Sequence, residues 1–133
     1  MTSFENPFDQ HAIAYDAWFD SPEGAAMFAI ELSCLQQEMG FIAGQWLEVG
    51  IGSGRFAEAL GIGTGVDPSP QMVQLARTRG IESCVGCAEA LPFDNAFYDG
   101  VVMLFALCFL SNPLQAMREA HCILKIGYRL YSR

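Results

Sequence analysis

Hydrophobic residues along this 133-residue chain fall into two patterns, helical spacing and short continuous apolar runs. Helical spacing predicts amphipathic helices, whereas a short apolar run bounded by turn residues predicts a strand covered on both faces. Helices are predicted over about residues 7–19, 22–39, 53–60, 70–78 and 113–124, and strands over 45–49, 81–85, 101–105 and 128–133, with a short strand ending at Asp67. Helices and strands therefore alternate through most of the chain.

That alternation predicts an α/β fold, a Rossmann-like, doubly wound parallel sheet with helices on both faces. We expect the strand order 3-2-1-4-5, because right-handed crossovers on both sides of the first strand reverse the order there. Such a reversal leaves a crevice at the carboxyl ends of strands one and four. The chain length favours a single domain, with a helical part over residues 1–40 and the sheet over residues 41–133.

The two N-terminal helices each carry an apolar stripe that we expect to face the core. The stripes are Phe8, Ala12, Tyr15 and Phe19 in the first helix, and Met27, Ile30 and Leu35 in the second. Ser21, followed by Pro22, is a suitable start for the second helix, and Gly40 is a suitable stop. Ser69 and Pro70 make the same kind of start for a later helix.

A glycine-rich turn follows the first predicted strand. Gly50, Gly52 and Gly54 stand at alternate positions after it, and Glu48 lies two residues before the first of them. Glycine at such a turn permits positive φ and lets a ligand approach bare main chain. A dinucleotide fingerprint would read G-x-G-x-x-G, so the spacing here disfavours a nicotinamide oxidoreductase. The pattern predicts a crevice for a nucleotide-like ligand.

Asp67 ends the second predicted strand, 17 residues after Gly50. A carboxylate at about this offset can accept hydrogen bonds from both hydroxyls of a ribose. Asp-Pro is also ordinary turn chemistry, so a purely structural role for Asp67 remains open at this point. Met72, on the helix that follows, can pack against a flat base.

The net charge of −8 is unevenly distributed. Residues 1–54 hold eight carboxylates and no Lys or Arg, whereas residues 55–133 hold seven residues of each sign. Such an acidic chain repels phosphate backbones, which argues against a nucleic-acid partner. The acidic N-terminal part is either a solvated surface or a feature that favours a cationic or neutral small ligand.

Neither a metal centre nor a membrane span is predicted. Cys84 and Cys87 form a single C-x-x-C pair, but a zinc site would need a second pair, so the five cysteines are interpreted as small apolar residues. The longest apolar run, residues 101–110, is too short to cross a bilayer. The first residues lack the basic and apolar regions of a signal peptide, so we expect a cytoplasmic location.

Four segments form an ordered set of motifs. Glu48–Gly54 is an acidic residue followed by G-x-G-x-G, and Gly65–Met72 follows the second strand. Ala88–Phe93 reads A-E-x-L-P-F, and Arg118–Lys125 is similar to R-E-x-x-R-V-L-K. With these motifs the chain resembles the class I S-adenosylmethionine-dependent methyltransferases, in particular the branch of the ubiquinone- and menaquinone-biosynthesis enzymes.

The resemblance implies a binding site for S-adenosylmethionine, with S-adenosylhomocysteine as product. The implied cofactor-binding residues are Tyr15, Glu48, Gly50, Gly52, Gly54, Asp67, Pro68, Met72, Cys87, Ala88, Glu89 and Phe105. Glu48 would orient the cofactor's amino group, Asp67 would hold its ribose, and Met72 would pack on its adenine. Phe105 would face the sulfonium, and Tyr15 would belong to a lid formed by residues 1–40. The glycines would line the methionine part.

The resemblance also implies methyl transfer to a small-molecule acceptor, without assigning a catalytic residue. Residues 87–89 would border the adenine, although Cys87 stands where many relatives carry an aspartate. Family members usually continue beyond the fifth strand through another helix and an antiparallel hairpin, which this sequence lacks. The open edge of such a truncated sheet predicts a homodimer or a strand-exchanged oligomer. The alternative is a non-catalytic, truncated cofactor-binding fragment that associates through that edge.

Overall fold

The structure, a computed structural model, describes residues 7–104 and 110–132. The helices are α1 (Pro7–Gln10), α2 (Ala12–Trp18), α3 (Pro22–Met39), α4 (Arg55–Leu60), α5 (Pro70–Thr78) and α6 (Pro113–Ile123). The strands are β1 (Trp46–Val49), β2 (Thr64–Asp67), β3 (Glu82–Val85), β4 (Tyr98–Met103) and β5 (Leu124–Ser132). An irregular connection, residues 86–97, joins β3 to β4.

The described strands form one parallel sheet in the order β3-β2-β1-β4-β5. This confirms the α/β, Rossmann-like class and the strand order that the alternation predicts. β1 is central, with Val49 paired to Val66 on one side and to Met103 on the other. Because the order reverses beside β1, the carboxyl ends of β1, β2 and β4 meet at one edge of the sheet.

Two apolar layers cover the faces of the sheet. Trp46 belongs to the layer beneath α3, α4 and α5, whereas Leu47 and Val49 belong to the layer beneath α6. Successive strand residues point to opposite faces, so Glu48 lies on the same face as Trp46. That placement puts a carboxylate inside an otherwise apolar layer, because Glu48 is only 2 % exposed.

Local capping chemistry sets the starts of α3 and α5, as predicted. The Ser21 hydroxyl accepts a hydrogen bond from the Gly24 N–H at 3.0 Å, and the Ser69 hydroxyl accepts one from the Met72 N–H at 3.1 Å. A proline occupies the first turn of each helix, where it needs no N–H partner. The start of α5 matters for function because it follows Asp67 directly.

Several predicted boundaries are wrong. The helix predicted over residues 7–19 is interrupted at His11, and α4 begins at Arg55 because Gly54 has a φ of +85°. β4 begins at Tyr98, three residues before the strand predicted over residues 101–105. β5 begins at Leu124, where the end of α6 passes into extended backbone (φ −77°, ψ 139°), so no turn separates them.

The predicted apolar stripe of α3 is only partly buried. Leu35 is 1 % exposed, but Met27 and Ile30 are 48 % and 60 % exposed. An 18-residue helix is about 27 Å long, whereas a four-residue strand spans about 13 Å, so the first half of α3 extends past β1.

Within residues 7–104 and 110–132, no helix combines the length and apolar character needed to cross a bilayer.

Candidate functional site

The glycine turn after β1 has the backbone conformation that its sequence predicts. Gly50, Gly52 and Gly54 have φ values of +76°, +56° and +85°, a region that side chains other than glycine rarely adopt. The N–H groups of Gly50 and Ile51 donate to the Val66 carbonyl at 2.8 and 3.1 Å. The turn is therefore held against the end of β2.

Gly52 and Gly54 are glycines for different reasons. A β-carbon on Gly52 would have no atom within 4 Å, so its main chain borders open space. A β-carbon on Gly54 would lie 2.7 Å from Ile81 Cδ1 and 3.2 Å from Ala76 Cβ. The absence of a side chain at Gly54 thus lets α5 pack closely, whereas Gly52 leaves bare main chain available to a ligand.

Asp67 lies directly beside this turn. Its Oδ2 accepts a hydrogen bond from the Gly52 N–H at 2.9 Å, and its Oδ1 accepts one from the Ser69 N–H at 2.9 Å. Burial raises the pKa of Asp67, the two backbone donors oppose that effect, and the charge of Asp9 adds to it. The carboxylate is thus fixed in orientation and 8 % exposed, and its remaining lone pairs can accept further hydrogen bonds.

Glu48 supplies a second carboxyl group to the same place. Its Oε1 is buried and has no hydrogen-bond partner among the described residues. Burial raises the pKa of Glu48 well above its usual value, and the neighbouring charge of Asp67 raises it further. A buried oxygen without a donor is costly unless a ligand supplies one, so this arrangement fits a ligand that carries an ammonium group.

Tyr15 of α2 brings a phenol to these acids. Burial raises the pKa of Tyr15, and so do the charges of Glu48, Asp16 and Asp67. Its ring is in edge contact with Phe19, at 5.5 Å between centroids, and the residue is 43 % exposed. α2 lies beside the glycine turn because Asp16 pairs with Arg55 at the start of α4, and Tyr15 is near enough for the charges of Glu48 and Asp67 to act on its phenol.

The next part of the predicted site, residues 86–89, also reaches this edge. The Gly86 N–H donates to the Asp67 carbonyl at 3.1 Å, which places the residues after β3 beside the end of β2. Cys87 is exposed, Ala88 is 7 % exposed and Glu89 is partly buried. These residues can border a base held by its sugar at Asp67.

The remaining predicted site residues are Pro68, Met72 and Phe105. Pro68 is exposed at the start of the loop before α5. Met72 is only 2 % exposed, so in the ligand-free chain its side chain offers almost no open surface. Phe105 lies outside the described residues.

Sequence reasoning missed four charged residues around the site. Asp9 contacts the start of α5, and Asp16 forms ion pairs with Arg55 and Arg79. The one available signal was the charge distribution, eight acids without a base in residues 1–54, which pointed to the acids but not to their partners.

A cavity of about 530 Å³ lies away from the glycine turn. It is lined by residues that begin three strands, Thr64, Glu82 and Tyr98, so it is at the amino end of the sheet. Within the described part of the chain, no group of three or more His, Cys, Asp or Glu residues is placed to hold a metal ion. The groups that the crevice offers to a ligand are therefore the main chain of the glycine turn and the carboxyl groups of Asp67 and Glu48.

The chain matches the methyltransferase-domain family over residues 47–131. An uncharacterized protein of Mycobacterium tuberculosis is 40 % identical over 116 residues, which are 87 % of this chain and 41 % of that protein. The demethylmenaquinone methyltransferase of Chlorobaculum tepidum is 38 % identical over 66 residues, 48 % of this chain and 27 % of that enzyme.

Among solved structures, an S-adenosylmethionine-dependent methyltransferase of Thermotoga maritima, described as a possible histamine N-methyltransferase, superposes with a TM-score of 0.82. The identity is 34 %, and the alignment covers 94 % of this chain and 58 % of that one. The chain thus spans less than two thirds of the length of each of these proteins.

Proposed function

Because the chain belongs to the class I S-adenosylmethionine-dependent methyltransferases, we propose that it binds S-adenosylmethionine at the glycine turn and transfers the methyl group to a small-molecule acceptor. S-adenosylhomocysteine is then the product. The observation that carries the proposal is the contact of the Asp67 carboxylate with the Gly52 N–H, beside the unpartnered oxygen of Glu48. Together they offer hydrogen-bond acceptors for a ribose and an ammonium group.

Each predicted residue has a role in this proposal. Asp67 accepts hydrogen bonds from the ribose hydroxyls, and Glu48 accepts one from the ammonium group. Tyr15 covers these two carboxyl groups on the α2 side. The adenine is bordered by Pro68, Met72, Cys87, Ala88 and Glu89, the methionine part by Gly50, Gly52 and Gly54, and the sulfonium by Phe105. The cofactor supplies an already activated methyl group, so the work of the chain is to bind and orient, which can contribute several kcal/mol. Methyl transfer from a sulfonium itself needs little acid–base catalysis, and a proton that the acceptor loses passes to solvent.

A calorimetric titration tests cofactor binding first. We expect saturable one-to-one binding of S-adenosylmethionine with a dissociation constant below about 1 mM, because the acids around Asp67 and Glu48 attract a cationic ligand. Turnover against a panel of small acceptors, followed as S-adenosylhomocysteine formed, then tests the reaction. The absence of binding heat at millimolar ligand would contradict the proposal.

A second candidate is a non-catalytic cofactor-binding fragment that associates through its sheet edge. The position of β5 favours it, because this nine-residue strand is at the end of the sheet and pairs with β4 alone among the described strands. Binding of S-adenosylmethionine without turnover of any acceptor would support this candidate over the enzyme.

We also propose that the chain forms a homodimer or a strand-exchanged oligomer through that edge. Unpaired N–H and C=O groups along β5 can pair with a second chain. Light scattering at tens of micromolar is expected to give at least twice the chain mass of 14.6 kDa. A mass of one chain across that concentration range would rule out the association.

A cytoplasmic location and the absence of a nucleic-acid partner complete the proposal. The four described cysteines, Cys34, Cys84, Cys87 and Cys122, are free thiols, which suits a reducing compartment. The net charge of −8 opposes binding to a phosphate backbone. Both features agree with an enzyme that acts on small molecules in the cytoplasm.

A further inference from the structure

Residues 7–20, here called the strap, connect α1 and α2 to the elements that form the crevice. At one end, Asp9 Oδ1 accepts hydrogen bonds from the Ser69 hydroxyl at 2.7 Å and from the Gln71 N–H at 3.0 Å. These two donors belong to the first residues of α5, directly after Asp67. The first half of the strap is therefore attached beside the proposed ribose site.

The other end of the strap is attached beside the glycine turn. Asp16 Oδ1 pairs with Arg55 Nε at 2.7 Å, and Asp16 Oδ2 pairs with an Arg79 Nη atom at 3.3 Å. Arg79 also donates to the Ser53 carbonyl at 3.2 Å, inside the turn itself. Asp20 adds contacts of 3.1 and 3.2 Å to Arg55. Charged groups thus bridge the strap to both sides of the Gly54 position.

Few apolar side chains of α2 are buried, although Phe19 is in edge contact with Phe28 of α3, at 6.1 Å between ring centroids, and Arg55 lies 5.5 Å from the Phe19 ring centroid. Ala12 is the one buried residue of α2, whereas Ile13, Tyr15 and Trp18 are 73 %, 43 % and 46 % exposed. By contrast, the side chains of Asp16, Arg55 and Arg79 are only 14–18 % exposed. Segments with few buried apolar contacts open locally at low free-energy cost, so the ion pairs of Asp16 add a substantial share of what holds α2 in place.

The strap lies where a bound cofactor would have to pass. Its two attachments lie at the start of α5, directly after Asp67, and at the start of α4, directly after the glycine turn, so the segment between them, with Tyr15, spans the crevice. A ligand held by Glu48 and Asp67 would be enclosed on the α2 side while the attachments persist. Release of the Asp16 attachment would uncover that side.

We propose that Asp16 is a positioning residue whose ion pairs with Arg55 and Arg79 hold the strap closed over the crevice, so that breaking them is the step that releases the cofactor. The inference rests on the proposed function for the identity of the ligand. It adds a set of charged residues that touch neither the reacting methyl group nor the acceptor. Because their side chains are only 14–18 % exposed, salt screens these pairs less than it screens pairs on the surface.

The rate of S-adenosylmethionine dissociation tests the inference, with Asp16→Asn as the variant. We expect dissociation at least tenfold faster than in the unchanged chain, with a much smaller change in the association rate. Asp94→Asn, the same substitution at an exposed site in the β3–β4 connection, should leave both rates within twofold.

Hydrogen exchange of the α2 amides is a second test, and it needs no ligand. In the ligand-free protein, α2 should exchange faster in Asp16→Asn, while the amides of β1 and β2 should be unchanged. Equal α2 exchange in the two proteins, or equal dissociation rates, would overturn the inference. Failure of the unchanged chain to bind S-adenosylmethionine would instead overturn the proposed function. If Asp16→Asn does not fold, Arg79→Gln removes one of the two ion pairs and is expected to shift the same rates in the same direction.

Discussion

Replacing Asp67 with asparagine is expected to weaken the binding of S-adenosylmethionine by about 100-fold. The asparagine side chain has one oxygen, whereas Asp67 uses one oxygen for the Gly52 N–H and the other for the Ser69 N–H. The substitution therefore removes the negative charge that strengthens the ribose contacts and also leaves one backbone donor without its partner. Charge-assisted hydrogen bonds are worth about 1.5–3 kcal/mol each, and about 2.8 kcal/mol corresponds to 100-fold.

Calorimetry on the variant measures this effect, and thermal unfolding separates it from damage to the fold. We expect a stability loss of about 1–2 kcal/mol from the orphaned backbone donor, too little to unfold the chain. Asp94→Asn is the matched control, because Asp94 is exposed and distant in sequence from the glycine turn. Unchanged affinity in a folded Asp67→Asn protein would show that the ribose is not held there.

The affinity for S-adenosylmethionine is expected to rise with pH because of Glu48. Burial and the charge of Asp67 raise the pKa of Glu48 well above its usual value, so its carboxyl group stays protonated in the empty crevice over part of the range above pH 4.5. A bound ammonium group favours the ionised form, and binding then releases a proton. One released proton gives up to a tenfold gain in affinity per pH unit, which levels off above the raised pKa.

The same ionisation has the opposite effect on the stability of the ligand-free chain. The unfolded chain ionises Glu48 at its ordinary pKa and the folded chain only at a higher pH. The contribution of Glu48 to stability is therefore largest below pH 4.5 and declines as pH rises towards its folded pKa. Glu48→Gln removes that decline, so we expect a higher melting temperature than in the unchanged chain at neutral pH, and no advantage near pH 4.5.

Paired measurements on Glu48→Gln test both effects. The variant should bind S-adenosylmethionine with little dependence on pH, and calorimetry in buffers of different ionisation enthalpy should show no proton release. Glu58→Gln, on the exposed face of α4, should behave like the unchanged chain. A pH-independent affinity in the unchanged chain would contradict a protonated Glu48 in the empty site.

The sequence predicts best those features that depend on neighbouring residues. Ser69 and Pro70 start α5 through contacts within three residues, and the glycine turn takes positive φ because glycine alone adopts it readily. The nearness of Asp67 to the glycine turn was also predicted, because the carboxyl ends of neighbouring parallel strands meet at one edge, whereas its hydrogen bond with the Gly52 N–H was not. Motif and spacing thus supplied the centre of the site.

Features that depend on distant partners were not predictable. Asp16 pairs with residues 39 and 63 positions away, and nothing in the local pattern identifies either arginine. The exposure of Met27 and Ile30 depends on the length of α3 relative to β1, which periodicity does not contain. The start of β5 depends on a distant partner in the same way, because Leu124 pairs with Tyr98 of β4 ahead of a register shift that separates this pair from Gly100 and Arg129.

The acidic surroundings of the crevice have a consequence for ligands other than the cofactor. Asp9 is close enough to raise the pKa of Asp67, and Asp67 is close enough to raise that of Glu48, whereas the charge of Asp16 is offset by Arg55 and Arg79. Adenosine compounds with a phosphate tail, such as ATP or dinucleotides, would bring negative charge into this environment and be repelled. Under the proposed function, the carboxylates of Asp9 and Asp67 would therefore favour a sulfonium-bearing nucleoside over phosphorylated nucleotides, whatever the shape of the adenine pocket.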